Sequence, residues 1–109
     1  MHRAKARKRK WAVMNIDSLL SKAEDASVLL KALSNEKRLQ IACVLYDGER
    51  AVGELEKIVG LSQSALSQHL ARLRNDEIVK TRREAQTIYY SLSNPAAEKL
   101  LLSLTAILA

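Results

Sequence analysis

Between Ser62 and Arg72 the sequence concentrates hydroxyl and amide side chains, which both donate and accept hydrogen bonds. A glutamine can form two hydrogen bonds with the edge of an adenine, and small serines let a helix approach a DNA groove closely. The stretch contains no Asp or Glu, so no side chain in it repels phosphate. The candidate base-contacting and flanking residues are Ser62, Gln63, Ser64, Ser67, Gln68 and Arg72.

A second polar group follows a few residues later and is rich in cations. Arginine and lysine bind phosphate oxygens, and arginine also enters narrow minor grooves. This group consists of Lys80, Arg82, Arg83, Gln86 and Thr87. The two groups together predict a surface that binds double-stranded DNA.

Helical spacing positions the first group. Leu66, Leu70 and Leu73 lie on one face of a helix that Ser62 can cap and that we expect to end near Asn75. A shorter helix over roughly 51–58 precedes it, and the tight connection between them contains a glycine. Two short helices so joined predict a helix-turn-helix, in which the first residues of the second helix contact base edges.

Two strands position the second group. Residues 78–83 and 87–92 are rich in β-branched and aromatic residues, which predicts a pair of strands. The three residues between them, from Glu84 to Gln86, are expected to form the turn. A hairpin directly after the second helix is a wing, so its cations would lie beside that helix.

The other segments complete a small helical domain. Apolar spacing over 16–33 predicts one long amphipathic helix, and Asn35 can cap a second helix whose apolar face includes Cys43. Asn94 and Pro95 begin the last helix, with proline in its first turn. The predicted fold class is therefore α+β and mostly helical, a winged helix-turn-helix with the order α-α-α-α-β-β-α.

The last helix carries leucine and isoleucine on more than one side, and a helix that is apolar all round must be buried. A domain of this size has too little material to cover both this helix and the first one. We therefore expect a homodimer in which the first and last helices pack against their symmetry mates, rather than a monomer that buries both. The residues expected at the dimer interface are Ile16, Leu19, Leu20, Leu100, Leu101, Leu104, Ile107 and Leu108.

The charge is concentrated at one end of the chain. The 109 residues include 18 Lys and Arg against 12 Asp and Glu, and six of the cations lie in residues 1–10. We expect 1–14 to form a disordered basic arm and 15–109 to form the winged-helix domain. The alternative is that translation starts at Met14, in which case 1–13 would not belong to the natural protein.

The composition argues against several protein classes. The single cysteine excludes an internal disulfide and fits a reducing, cytoplasmic setting. We see no apolar run long enough to span a membrane, and no apolar segment that would make the basic end a signal peptide. The sequence also shows no paired catalytic carboxylates, no glycine-rich phosphate loop and no nucleophile elbow. We therefore expect neither an enzyme nor a cofactor.

Three stretches carry a family resemblance: NEKRL from Asn35, LSQSALSQHL from Leu61 and RREAQTIYY from Arg82. Over about residues 16–109 the chain resembles the ArsR/SmtB winged-helix repressors, and it is most similar to the branch that holds nodulation and haemolysin regulators. The resemblance implies a cytoplasmic homodimer bound to an inverted-repeat operator. It also implies repression by blocking polymerase, or activation by displacing another repressor.

Many members of this family sense metals, but the matching positions lack ligands here. The positions of the family's third-helix cysteine pair correspond to Ala51 and Gly53, and residues 95–109 contain no Asp, His or Cys. A transition-metal site needs several such ligands, so we expect none. The residues do not identify an inducer.

Cys43 corresponds to a second-helix cysteine of the family's persulfide and redox sensors. In those proteins it pairs with a cysteine near the end of the last helix, a position that falls here at about Ala109. We favour a small buried apolar residue over a reactive thiol. If the thiol is exposed and acidic, it could still form a sulfenic acid or a mixed disulfide.

The sequence as a whole predicts a sequence-specific DNA-binding transcription regulator, with repression favoured. Two alternatives remain open at this point. One is a thiol-responsive regulator that acts through Cys43. The other is a sequence-neutral architectural protein, whose DNA binding would depend steeply on salt and show little specificity.

Overall fold

The computed structural model describes residues 15–109, and the arm expected over 1–14 lies outside the described residues. The described part contains six helices and a three-stranded antiparallel sheet. In chain order the elements are α1 (Ile16–Ser21), α2 (Ala23–Leu33), α3 (Glu36–Asp47), β1 (Arg50–Ala51), α4 (Val52–Val59), α5 (Gln63–Asn75), β2 (Val79–Glu84), β3 (Thr87–Leu92) and α6 (Pro95–Leu108).

The first helical segment is interrupted, contrary to the single helix expected over 16–33. The backbone of Lys22 leaves the helical conformation with φ −112° and ψ 12°, and its N–H donates to the carbonyls of Leu19 and Leu20. The hydrogen bond to Leu19 spans three residues rather than the four of an α-helix, and it ends α1 before α2 begins. No side chain of α1 is buried, so tertiary packing does not hold the two pieces in one straight helix.

Asparagine and serine side chains cap the first turns of α3 and α5, as expected. The side chain of Asn35 accepts from the N–H groups of Lys37 and Arg38 at the start of α3, and that of Ser62 accepts from Ala65 in α5. Gly60 ends α4 in the left-handed conformation at φ 68°. The largest fully buried side chains come from α3, α4, α5 and the residue before β2: Ile41, Leu55, Leu66, Leu73 and Ile78.

Two backbone hydrogen bonds end α5 and direct the following residues towards the wing. The N–H of Glu77 donates to the carbonyl of Arg74 at 3.0 Å, and that of Ile78 donates to Leu73 at 2.9 Å. This pattern requires a left-handed residue, and Glu77 adopts φ 59° to provide it. The side-chain amide of Asn94 donates to the carbonyl of Glu77 at 3.4 Å, which ties this corner to the start of α6.

The sheet has the order β1-β3-β2, with β3 in the centre. Strand β1 was not expected, because two residues are too short to show a period of two; its Arg50 and Ala51 pair with Tyr90 and Tyr89. The hairpin turn is one residue shorter than expected. Glu84 pairs with Thr87, so Glu84 belongs to β2, and Ala85 adopts a left-handed φ of 56° in the two-residue turn.

Helix α6 packs one narrow stripe against the core. Asn94 caps it by accepting from the N–H groups of Ala96 and Ala97, and Pro95 occupies its first turn. Ala97 and Leu101 are its buried residues. None of the helices in residues 15–109 is long and apolar enough to cross a membrane.

Candidate DNA-binding surface

Helix α5 presents the polar face that the leucine spacing predicts. Leu66, Leu70 and Leu73 are buried, which turns the opposite side of the helix to solvent. The hydroxyl of Ser62 caps the helix, so this oxygen is engaged in an intramolecular bond. The exposed polar side chains of the N-terminal half are Gln63, Ser64, Ser67 and Gln68.

A polar groove lies between the outward face of α5 and the wing. Ser67 and Ala71 line it from α5, and Tyr90 lines it from β3. Arg74 also lines this groove, together with Asn75 and Glu77, although it is not among the residues predicted to bind DNA. The sequence signal for Arg74 is its place beside the outward-facing Asn75 in the last turn of α5, where a cation extends the same polar surface.

The strand register separates the cations of β2 onto two faces of the wing. Val79, Thr81 and Arg83 alternate with Lys80 and Arg82, so the two sets point to opposite sides. Thr81 pairs with Tyr90, which lines the α5 groove, so Arg83 shares the face that is turned towards α5. Within residues 15–109 Arg83 forms no ion pair.

Arg82 lies on the other face and donates three hydrogen bonds within the protein, with its side chain half exposed. Its Nε donates to Oε2 of Glu49 at 2.8 Å, its Nη2 donates to Oε1 of Glu49 at 2.9 Å, and its Nη1 donates to Glu84 at 2.9 Å. The guanidinium carbon lies 4.3 Å from the centre of the Tyr89 ring. The hydrogen bonds from Arg82 lower the pKa of the Glu49 carboxyl, and those to Glu49 and Glu84 raise the pKa of the Arg82 guanidinium.

The other candidate DNA-binding residues differ in how available they are. Arg72 is exposed but its Nε donates to Asp76 at 2.8 Å, so this cation is already paired on the helix surface. Lys80 is exposed on the same wing face as Arg82, and it forms no ion pair within residues 15–109. Gln86 and Thr87 are both exposed at the wing tip.

The residues expected at a dimer interface divide into exposed and packed ones. Ile107 and Leu108 are 71% and 79% exposed, and the α1 residues Ile16, Leu19 and Leu20 are at least half exposed. Leu100 and Leu104 are half-buried. Leu101 must be corrected, because it is 6% exposed and its side chain packs in the core of its own protomer. Leu102, which is not among the residues predicted at the dimer interface, is 54% exposed on α6.

The expectation that Cys43 is buried is wrong for this chain. Helix α3 turns Ile41, Ala42 and Leu45 into the core, and Cys43 is exposed beside that stripe. Together with Tyr46, Leu102 and their neighbours it lines a small pocket between α3 and α6. The sequence could not decide this orientation, because α3 has apolar residues on more than one side.

Metal-ligating side chains are not grouped in the part of the chain that the structure describes. No set of three or more His, Cys, Asp or Glu lies close enough together there to hold an ion. Ala51 and Gly53 lie at the junction of β1 and α4.

Comparison with known sequences finds two kinds of match. The model described as "Bacterial regulatory protein, arsR family" matches residues 35–81, from the cap of α3 into β2. The transcriptional activator HlyU of Vibrio cholerae is 52% identical over 92 residues, which cover 84% of this chain and 85% of HlyU.

Solved structures share the same architecture. The transcriptional repressor BigR from Xylella fastidiosa superposes with a TM-score of 0.85 at 40% identity, over 88% of this chain and 98% of that one. The homodimeric winged helix-turn-helix DNA-binding domain of Mb0332 from Mycobacterium bovis gives a TM-score of 0.72 at 28% identity, over 88% of each chain.

Proposed function

The chain belongs to the ArsR family of bacterial regulatory proteins, which are DNA-binding transcription regulators, and on that basis we propose that it binds an inverted-repeat operator as a homodimer and represses transcription. In this proposal α5 reads base edges in the major groove and the wing contacts phosphates. The protein would act in the cytoplasm, where its DNA target lies.

One observation carries the DNA-contact part of this proposal. The outward face of α5 and the inner face of the wing line a single polar groove, with Ser67 on one side and Tyr90 on the other. Gln63 and Gln68 lie in the first half of α5, exposed, where a helix-turn-helix places its base contacts. Arg83 extends the inner face of the wing towards the tip, which suits a phosphate contact.

The exposed apolar faces of α1 and α6 support the homodimer. A monomer would leave Leu20, Ile107 and Leu108 largely in water, whereas a symmetric contact would cover them. Mb0332, which has the same fold, is homodimeric. A dimer of this kind would place two α5 helices in successive major grooves about 34–36 Å apart.

Repression follows from the extent of DNA that such a dimer would cover. A protein seated across two successive major grooves occupies DNA that polymerase must contact if the operator overlaps a promoter. BigR is a transcriptional repressor, whereas HlyU is a transcriptional activator, so relatives of this chain include regulators of both kinds. A reporter gene placed behind the selected operator would give lower output in the presence of the protein if our proposal is correct.

The decisive experiment is in-vitro selection of genomic fragments by the purified chain at about physiological salt, where non-specific binding is weak. We expect enrichment of an imperfect palindrome with half-sites one helical turn apart. The matched control is the variant Gln63→Ala/Gln68→Ala, which leaves the net charge unchanged and should lose the enrichment. Retention of all fragments without enrichment, with steep salt dependence, would contradict the proposal and favour an architectural protein.

The exposure of Cys43 in the single protomer favours a second candidate, a regulator whose DNA affinity responds to thiol chemistry. An exposed thiol can form a sulfenic acid or a mixed disulfide, and a bulky adduct in the pocket between α3 and α6 would disturb α6. Treatment of the DNA complex with hydrogen peroxide or glutathione disulfide should then release DNA from the parent protein and leave Cys43→Ser bound. Equal behaviour of the two proteins would rule this candidate out.

A further inference from the structure

The two neighbouring arginines of the wing have different surroundings. We propose that Arg82 is a positioning residue that clamps the wing to the rest of the sheet, and that of these two arginines only Arg83 is left to contact DNA phosphate. The statement about phosphate rests on the proposed function, whereas the statement about the clamp does not.

Three of the five N–H donors of Arg82 form hydrogen bonds within the protein. Each of its three guanidinium nitrogens donates one hydrogen bond, two of them to the two oxygens of Glu49 and one to Glu84. Isolated ion pairs on a protein surface contribute little, but a two-bond contact between arginine and a carboxylate within a small network is the favourable exception. The face of the guanidinium is covered as well, because it stacks on the Tyr89 ring.

The position of these partners in the sheet explains what the clamp does. Arg82 lies on β2 and is directly opposite Tyr89 on the central strand β3. Glu49 immediately precedes β1, which pairs with the other edge of β3. The side chain of Arg82 therefore crosses β3 and joins the two outer strands, between residues that are 33 positions apart in the chain.

A phosphate contact by Arg82 would compete with this arrangement. The charge of the guanidinium is already shared with two carboxylates, and Glu49 and Glu84 would repel an approaching phosphate. Arg83 meets neither obstacle, because it lies on the opposite face of β2 and forms no ion pair within the described residues. The assignment thus separates a structural cation from a DNA-binding cation at adjacent positions.

The test compares single substitutions in the full chain by two measurements. The first is the dependence of affinity on salt for a mixed-sequence DNA duplex, where each phosphate contact contributes about 0.9 to the logarithmic slope. The second is amide hydrogen exchange of β2 and β3 in the absence of DNA. The variants are Arg82→Gln, Arg82→Lys, Glu49→Gln and Arg83→Gln, and circular dichroism checks that each one folds.

We expect Arg82→Gln to leave the salt slope unchanged and to accelerate exchange in the wing, whereas Arg83→Gln lowers the slope by about one unit and leaves exchange unchanged. Arg82→Lys should exchange as fast as Arg82→Gln, because an ammonium cannot reproduce the fork-shaped contact. Glu49→Gln should accelerate exchange too, and the double variant Glu49→Gln/Arg82→Gln should add nothing beyond Arg82→Gln alone.

Two results would overturn the inference. One is a loss of about one unit of slope in Arg82→Gln with full retention in Arg82→Lys, which is the behaviour of a phosphate contact. The other is unchanged wing exchange in both Arg82→Gln and Glu49→Gln, which would remove the clamp. If the parent protein bound no DNA at all, the proposed function would fail, and the exchange measurement would still decide whether the clamp exists.

Discussion

The α5–wing groove and the outer faces of α1 and α6 are both open to solvent, but their side chains differ in chemistry. The groove is lined by serine, alanine, arginine, asparagine, glutamate and tyrosine side chains. The outer faces of α1 and α6 expose leucine and isoleucine, with Leu20 at 68% and Leu108 at 79%. One surface therefore presents groups that can hydrogen-bond, and the other presents apolar area; under the proposed function the first binds DNA and the second binds a partner protomer.

This difference indicates how each surface should respond to its environment. Contacts between cations and DNA phosphates weaken steeply as salt is raised, because counterions are released on binding. Burial of leucine and isoleucine is not screened by salt and scales with the area removed from water. A substitution on one surface should thus change one type of measurement first, and the following predictions use that separation.

The largest effect is expected on the apolar side. Leu102→Glu places a carboxylate on the exposed face of α6, where a partner protomer would have to bury it, so we expect the dimer to dissociate. Loss of linked half-site binding should reduce affinity for the selected operator by roughly 10²–10⁴-fold. Sedimentation velocity and fluorescence anisotropy measure the two changes. Ser103→Glu, next along the same helix and already exposed, is the matched control; equal dissociation of both variants would show that charge on α6, and not this face, matters.

The next effect is on base reading by the groove. Gln68→Ala removes an exposed amide from α5 and should weaken binding to the operator by roughly 1–3 kcal/mol, with relaxed preference at one base pair. Competition binding with single-base operator variants measures this. Gln40→Ala, on α3, is the matched control and should bind as the parent does. An equal loss on operator and on random DNA would argue that Gln68 does not read a base.

A smaller effect is expected from the cation on the inner face of the wing. Arg83→Gln should weaken binding to every sequence alike and lower the slope of log affinity against log salt by about one unit. Lys99→Gln removes the same charge from α6 and should leave the slope unchanged, because Lys99 lies outside the groove. Matching slopes for the two variants would mean that the chain responds only to its net charge.

The connection between α4 and α5 should affect stability but neither surface directly. Gly60 has φ 68°, and no atom lies within 4 Å of a Cβ built there, so Gly60→Ala introduces backbone strain without a clash. We expect a loss of about 1 kcal/mol in the free energy of unfolding, measured with urea. Glu77→Gly removes a similar strain at φ 59° and should shift stability in the opposite direction. The same sign for both would contradict the strain argument.

The smallest effect is expected from pH at the outer face of the wing. The pKa of the Glu49 carboxyl is lowered in the folded state. Its ion pair with Arg82 therefore stabilises the wing at pH values above 4.5, the ordinary pKa of the carboxyl. That contribution is lost as pH falls through the lowered pKa. The NMR shifts of wing amides should follow this titration in the parent protein. A titration of the same size in Glu49→Gln would assign the change to another carboxyl.

The sequence was sufficient for those features that depend on local chemistry. The caps at Asn35, Ser62 and Asn94, the buried leucines of α5 and the hairpin were all predicted, because each depends on residues a few positions apart. The resemblance to the ArsR family, the winged helix-turn-helix fold and the role as a DNA-binding regulator are confirmed. Membership of a family of transcription regulators also supports the expectation that the chain is not an enzyme.

Features that depend on distant packing could not be predicted. The clamp joins Arg82 to Glu49, and no local pattern indicates a partner that far away in the chain. Cys43 was assigned to a buried face because α3 is apolar on several sides, and only packing decides which side turns inward. The helix break at Lys22 could not be predicted because no glycine or proline lies there. Individual DNA and dimer contacts stay predictions, since they involve molecules other than this protomer.

The short length of β1 has a consequence for how the wing could change during evolution. Because β1 covers β3 only at Tyr89 and Tyr90, the pairs Arg83–Ile88 and Glu84–Thr87 project beyond the third strand. Insertion of two residues in each strand there would extend the reach of the wing by about 6–7 Å and keep every side chain on its original face. The domain can therefore acquire longer or shorter wings without altering its core, and under the proposed function such wings would give different DNA footprints.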